Sequence, residues 1–183
     1  MRAFFMTSER IGFSRWEIGD GALAASLWGD PAVAHFICAS GAFTPREVQS
    51  RLAAELENDK RYHVQYWPMF ALDGFGFIGC CGLRPYEADA PRILELGFHL
   101  KPEYWGKGLA FEAAQTVIRH AACELQAKEL RAGHHPQNAA SKKLLEKLGF
   151  QYMAGVYYAP TGLCHPTYRL PLSGGEHAPK APK

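Results

Sequence analysis

Residues 92–150 read RILELGFHLKPEYWGKGLAFEAAQTVIRHAACELQAKELRAGHHPQNAASKKLLEKLGF. Leu94, Leu96, Phe98 and Leu100 alternate with Glu95, Gly97 and His99, the period-2 pattern of a strand with one apolar face. The chain leaves this strand through Pro102 and turns at Trp105-Gly106-Lys107-Gly108-Leu109-Ala110. Beyond the turn, Leu109, Ala113, Val117, Ala121 and Leu125 recur in steps of four, flanked by Ala110, Ala114, Ile118 and Ala122. That spacing predicts an amphipathic helix with a broad apolar stripe. Residues 130–134 predict a second strand, and a helix between two strands makes them parallel, as in a βαβ crossover. Asn138 is placed to cap a short helix carrying Leu144, Leu145 and Leu148, which Gly149 closes.

Strand, glycine-rich turn and helix together form an anion-binding layout. The first N–H groups of a helix have no partner, the dipole end is positive, and glycines allow a phosphate to approach closely. Two nucleotide motifs are excluded. A P-loop needs Gly-x-x-x-x-Gly-Lys-Ser/Thr, whereas here Lys107 lies between the glycines; a dinucleotide turn needs Gly or Ala where Phe111 stands.

These residues resemble the GNAT N-acetyltransferase superfamily, and within it the RimJ/RimL-like branch. The superfamily's acetyl-CoA turn is Arg/Gln-x-x-Gly-x-Gly/Ala, and residues 105–110 match it except that Trp105 replaces the Arg or Gln, as the branch itself favours. Glu112, the run Asn138-Ala139-Ala140-Ser141 and the run Lys147-Leu148-Gly149-Phe150 also fit that branch. The resemblance implies an α/β (α+β) fold with a mixed, mostly antiparallel central sheet flanked by helices. It also implies a parallel strand pair splayed to take acetyl-CoA.

The rest of the chain agrees with one such domain over residues 1–172, followed by a Pro-, Gly-, Ala- and Lys-rich tail at 173–183 expected to be disordered. A first strand is expected at 9–16, a short helix at 22–28 and helical structure at 31–36. Thr44-Pro45-Arg46-Glu47 is a capping box opening a helix to about Asn58. Asp73-Gly74 between apolar runs predicts a hairpin of strands 64–72 and 75–83, interrupted or bulged at Pro68. A polar loop is expected at 84–91. A second antiparallel pair is expected at 152–158 and 163–170, closed by Pro160-Thr161-Gly162.

Charge excludes one class of partner. The 183 residues carry a formal +2, a poor basis for nucleic-acid binding. Five cysteines, an odd number with no C-x-x-C, predict free, mostly buried thiols in a reducing compartment rather than a disulfide frame or zinc site. No secretory segment and no run of membrane-spanning length is present, so a cytoplasmic protein is expected. Homodimers occur in the resembled family and are expected here only by that analogy.

The resemblance implies acetyl-CoA as cosubstrate and a primary amine as acceptor, either a protein N-terminal α-amine or a small-molecule amine. The pyrophosphate is expected on the backbone N–H groups of Gly106, Lys107, Gly108, Leu109 and Ala110, in the motif begun by Trp105. The pantetheine arm is expected between the two parallel strands. The thioester carbonyl would lie against backbone near Phe98, His99 and Leu100, where an N–H stabilises the oxyanion.

The amine must lose a proton and the leaving thiolate must gain one. Many family members use a Tyr seven residues after the helix-opening Asn as the donor; here that position is Leu145. Ser141, beside Asn138, is the substitute candidate, against the alternative that it only bonds its own backbone. Glu95 is the candidate base, against the alternative of a carboxylate solvated or paired with Arg92. His99 has the more suitable ordinary pKa but lies where the family uses mainly backbone. Trp28 and Phe36 are candidates for the acceptor wall, against plain core packing. His134 and His135, adjacent on a strand, would point to opposite sides and are poorly placed to chelate one metal. Two other function classes stay open at this level: a non-catalytic acyl-CoA-binding sensor, and an anion-binding domain for nucleotides.

Overall fold

The computed structural model describes residues 2–87 and 92–172. The expected tail lies outside the described residues, as does part of the loop expected at 84–91. Eight strands form one sheet in the order β1-β2-β3-β4-β5-β6-β8-β7. They are β1 (Met6–Thr7), β2 (Ile11–Phe13), β3 (Tyr66–Ala71), β4 (Phe77–Pro85), β5 (Ile93–Leu100), β6 (Glu129–Gly133), β7 (Gln151–Tyr158) and β8 (Leu163–Pro171). All neighbours are antiparallel except β5 and β6. Between β5 and β6 the chain crosses over through one α-helix and re-enters the sheet in the same direction, which makes this pair parallel.

Among the described residues, five α-helices flank the sheet: α1 (Gly21–Trp28), α2 (Pro31–Ala34), α3 (Pro45–Tyr62), α4 (Leu109–Cys123) and α5 (Ala139–Lys147). One core contains Leu109, Ala113, Val117 and Ala121 of α4, with Cys81, Leu83, Leu94, Leu96 and Leu130 beneath them. On the opposite face, Leu27 and Trp28 of α1 and Val48 and Leu52 of α3 pack against Tyr66 and Cys80. Adjacent Cys80 and Cys81 therefore enter different cores, as strand alternation requires. Both thiols are free, and burial pushes both up in pKa; the expectation of mostly buried thiols holds for these two alone, since Cys38 is half-buried and Cys123 and Cys164 are exposed.

Four local expectations are corrected. The segment expected as one strand at 9–16 is the second half of a small hairpin, β1–β2. Ser8 turns it, its N–H donating to the Ile11 carbonyl and its hydroxyl accepting from the Ile11 N–H. Helix α3 continues four residues past Asn58 to Tyr62, where His63 ends it in the left-handed region at φ 57°. Strand β3 runs through Pro68, which pairs in register with Cys80; the bulge comes later, where Met69 faces Gly79 but Phe70 faces Phe77. The Pro68 carbonyl accepts from Ser14 N–H just past the end of β2, so the missing proline N–H faces a ladder that is already ending. The extra residue is Ile78, and beside it Gly79 has a φ of 142°, where a Cβ would meet the His99 carbonyl at 2.2 Å. The last correction is Trp28, which is fully buried in the second core rather than forming an exposed wall.

Candidate active site

Strand β5 is the spine of the site. Along one edge it pairs with β4 from Leu94 to Leu100, whereas β6 pairs with it only at Ile93, Leu94 and Glu95. Past Glu95 the two parallel strands diverge. The wedge between them is part of a cleft of about 640 Å³, with residues 96–100 on one side and Ala132, Gly133 and His134 on the other. The β6-facing edge of β5 thus offers strand backbone without a strand partner, able to pair with amides lying in the cleft.

The glycine turn closes one end of this wedge. Gly106 and Gly108 have φ of 72° and 77°, a conformation that L side chains rarely adopt. Among the described residues, no protein acceptor takes the backbone N–H groups of Gly106, Lys107, Gly108, Leu109, Ala110 or Phe111, and Gly108 caps α4 without a side-chain bond. A Cβ at Gly106 would meet nothing within 4 Å, so the approach to these donors is open. Lys143 and Lys147 line the same cleft and add positive charge. Free N–H groups, a helix start and lysines form a donor set that fits a pyrophosphate.

The turn is braced from two sides. Trp105 Nε1 donates to the Leu100 carbonyl at 2.7 Å, tying the turn to the last residue of β5. Glu112, in the first turn of α4, accepts from the Ser8 hydroxyl at 2.6 Å, from Arg10 N–H at 2.8 Å and from Arg10 Nε at 2.7 Å. Arg10 Nη1 also donates to the Lys107 carbonyl at 3.1 Å. The small N-terminal hairpin therefore fixes the start of α4.

On the far side of the wedge, Asn138 caps α5, its Oδ1 accepting from Ser141 N–H at 2.9 Å. Asn138 and Ser141 both line the cleft. The Ser141 hydroxyl makes no hydrogen bond to any described residue, which disfavours the purely backbone-bonding alternative. Leu145 is 1 % exposed and belongs to the main core, so its position contributes packing and no hydroxyl.

The inner part of the cleft is polar. Glu95 accepts from the Tyr66 hydroxyl at 3.3 Å and makes no ion pair with Arg92 among the described residues. Gly97, two residues along the same face, lets that ring in: a Cβ there would meet the Tyr66 ring at 2.2 Å. Burial raises the Glu95 pKa, opposed by the Arg84 charge and the Tyr66 hydrogen bond, and the net shift is upward. Arg84 lies 4.0 Å over the Tyr66 ring and forms an ion pair with fully buried Glu55, whose other oxygen accepts from Tyr66 N–H at 2.8 Å. His99 accepts at Nδ1 from Trp28 Nε1 at 3.2 Å. Burial pushes its pKa well below the ordinary imidazole value, and the charges of Arg51 and Arg84 act in the same direction. A neutral imidazole with its basic nitrogen already occupied is a poor competitor to Glu95. Phe36 lines the cleft.

The histidine pair lies beyond the end of β6 rather than on it. His134 is buried with Nε2 3.2 Å from the Tyr168 hydroxyl, while His135 packs against Phe36 and His165. Among the described residues, no three His, Cys, Asp or Glu side chains are grouped to hold a metal.

Residues 10–151 match the model of the acetyltransferase (GNAT) domain. The chain belongs to the GNAT acetyltransferase family. It is 30 % identical over 146 residues to the uncharacterized N-acetyltransferase p20 of Bacillus licheniformis, covering 79 % of this chain and 80 % of that one. It is 29 % identical over 107 residues to the ribosomal protein uS5-alanine N-acetyltransferase of Escherichia coli, covering 58 % and 55 %. In fold it is similar to RimL, the ribosomal L7/L12 α-N-protein acetyltransferase solved with coenzyme A. That likeness has a TM-score of 0.75 at 13 % identity and covers 90 % of this chain and 96 % of that one. The RimJ/RimL-like resemblance holds, and the chain is an N-acetyltransferase that uses acetyl-CoA.

Within this GNAT fold, the cofactor candidates Phe98, His99, Leu100, Trp105, Gly106, Gly108, Leu109, Ala110, Asn138 and Ser141 all line one cleft, together with Glu95. Lys107 sits in the turn but is not part of the lining; its ammonium lies 5.6 Å from the Tyr104 ring centroid. Sequence reasoning missed Arg51, Tyr66 and Arg84. A signal existed in α3, where Val48, Leu52 and Glu55 share the inward face and a glutamate interrupts an otherwise apolar stripe. A buried acid demands a buried cation, and Arg84 supplies it.

Proposed function

We propose that the chain transfers the acetyl group of acetyl-CoA to a primary amine by direct attack, the amine being a protein N-terminus or a small molecule. The observation that carries this reading is a single cleft running from the free N–H groups of the α4 turn, past the unpaired edge of β5, to Glu95. Acetyl-CoA supplies the activated acyl group. Residues 106–110 would hold its pyrophosphate, and the open edge of β5 would pair with its pantetheine amides. A backbone N–H near residues 98–100 would stabilise negative charge developing on the thioester oxygen. Glu95 would take the first proton from the incoming ammonium, directly or through water, and the Ser141 hydroxyl would give a proton to the departing sulfur while regaining one from the nitrogen of the tetrahedral intermediate.

Support for Glu95 as base comes from its raised proton affinity and its place on the cleft, with Tyr66 fixing the carboxylate. Support for Ser141 comes from its unengaged hydroxyl in the first turn of the helix that Asn138 caps. The test is thiol release from acetyl-CoA with a panel of amines and N-terminal peptides. Amine-dependent release is the expected outcome. The absence of an alternative hydroxyl at buried Leu145 favours a second reading, a non-catalytic acyl-CoA-binding module. Saturable acetyl-CoA binding without thiol release for any acceptor would select it.

A further inference from the structure

Arg51 projects from α3 into the cleft that also holds Glu95. Its guanidinium lies 5.2 Å from the Trp28 ring centroid and 4.6 Å from that of Phe43, a stacked and positioned cation. Its Nε is shut off from solvent and has no hydrogen-bond partner, and Arg51 forms no ion pair with any described residue. The other cleft arginine, Arg84, is answered by Glu55. Burial and the Arg84 charge both work against the protonated form of Arg51. A guanidinium keeps its charge in any case and presents a planar fork of donors. Half-buried, rigidly stacked and without a counter-ion, it is a group whose complement is missing.

We infer that the acceptor is an amine that also carries a carboxylate, held by Arg51 while its amino group meets Glu95. This rests on the acetyltransferase reading above and narrows it. A carboxylate matches the fork in a bidentate pair, where the aromatic faces of Trp28 and Phe43 offer no strong acceptor. A polyamine would instead bring further positive charge beside Arg51 and Arg84, an arrangement that selects against it. Two sources supply the same chemistry: free amino acids, and peptides with an acidic residue near the N-terminus.

The experiment compares each acceptor with its carboxamide: free amino acids with amino-acid amides, and Asp-containing N-terminal peptides with their Asn counterparts, with spermidine as a cationic control. Thiol release gives kcat/KM for each, and acetyl-CoA titration checks every variant for a folded cofactor site. The expected result is a preference of about 10- to 100-fold for the acid over the amide, carried mainly in KM, as for a charge-assisted hydrogen bond. In Arg51→Gln the ratio collapses towards one, and in Arg51→Lys part of it survives. The acid–amide pair showing the preference identifies the source. Equal use of acids and amides, preference for spermidine, or a ratio that survives in Arg51→Gln overturns the inference. So does acetyl-CoA binding with no carboxylate-bearing amine turned over. Failure to bind acetyl-CoA at all would instead strike the underlying acetyltransferase reading.

Discussion

Glu95 occupies a balance of opposing effects. Burial favours its neutral form, Arg84 and the Tyr66 hydroxyl favour its charged form, and burial prevails, so its pKa lies above the ordinary carboxylate value. A base must be deprotonated to act, so kcat/KM should fall as pH drops through this raised pKa and level off above it. Glu95→Gln should lower kcat by about 10²- to 10⁴-fold and abolish that acidic limb, as a pH–rate profile of both proteins would read. An unchanged profile would remove Glu95 from proton transfer. Ser141→Ala should slow turnover at nearly constant acetyl-CoA affinity, because its backbone N–H, the group bonded to Asn138, is retained. The same rate in the variant would exclude the hydroxyl. At this scale the sequence showed the residues that alternate on β5 and those in short motifs. Arg51, Tyr66 and Arg84 escaped because they converge from α3, β3 and β4, and their meeting is a property of the sheet order. Gly97 is legible only afterwards, as the position that lets the Tyr66 ring reach Glu95.

At the scale of elements, the turn before α4 depends on two braces. Trp105 stands where the wider family has Arg or Gln, and its Nε1 bond to the Leu100 carbonyl gives the indole a role that a guanidinium or amide donor can also fill. Trp105→Phe keeps an aromatic ring and removes only the donor. It should weaken acetyl-CoA binding by about 5- to 10-fold, in line with the net worth of one hydrogen bond, with little change in Tm. Equal affinity would mean that the brace is dispensable. The second brace, from Ser8 and Arg10 to Glu112, joins residues 102 or more positions apart. Sequence spacing could not reveal it, although Glu112 was picked out by motif. The Thr44 capping box was fully legible because it is local: the Thr44 side chain accepts from Glu47 N–H at 3.3 Å, and Glu47 Oε2 accepts from Thr44 N–H at 2.7 Å. The bulge was misplaced because proline is a visible breaker. The extra residue, Ile78, lies on the partner strand.

At the scale of the molecule, the helices divide the labour. Helix α4 buries its apolar stripe against one sheet face and aims its N-terminus at the wedge, while α1 and α3 cover the other face and α3 carries Arg51 to the polar end of the cleft. The wedge itself follows from the short β5–β6 pairing, three register pairs against seven between β4 and β5. The parallel pair could be read from strand, helix and strand in succession; its divergence could be expected only from family resemblance, because nothing in either strand's pattern encodes where pairing stops. Cofactor binding depends on the turn receiving the pyrophosphate, and a calorimetric titration with acetyl-CoA, with ATP as control, tests this most directly. Saturable one-to-one binding of acetyl-CoA, absent with ATP and abolished by Gly108→Glu through crowding and negative charge at the free N–H groups, is the predicted result. Undiminished affinity in a folded Gly108→Glu protein would contradict it and would place the cofactor's phosphates elsewhere.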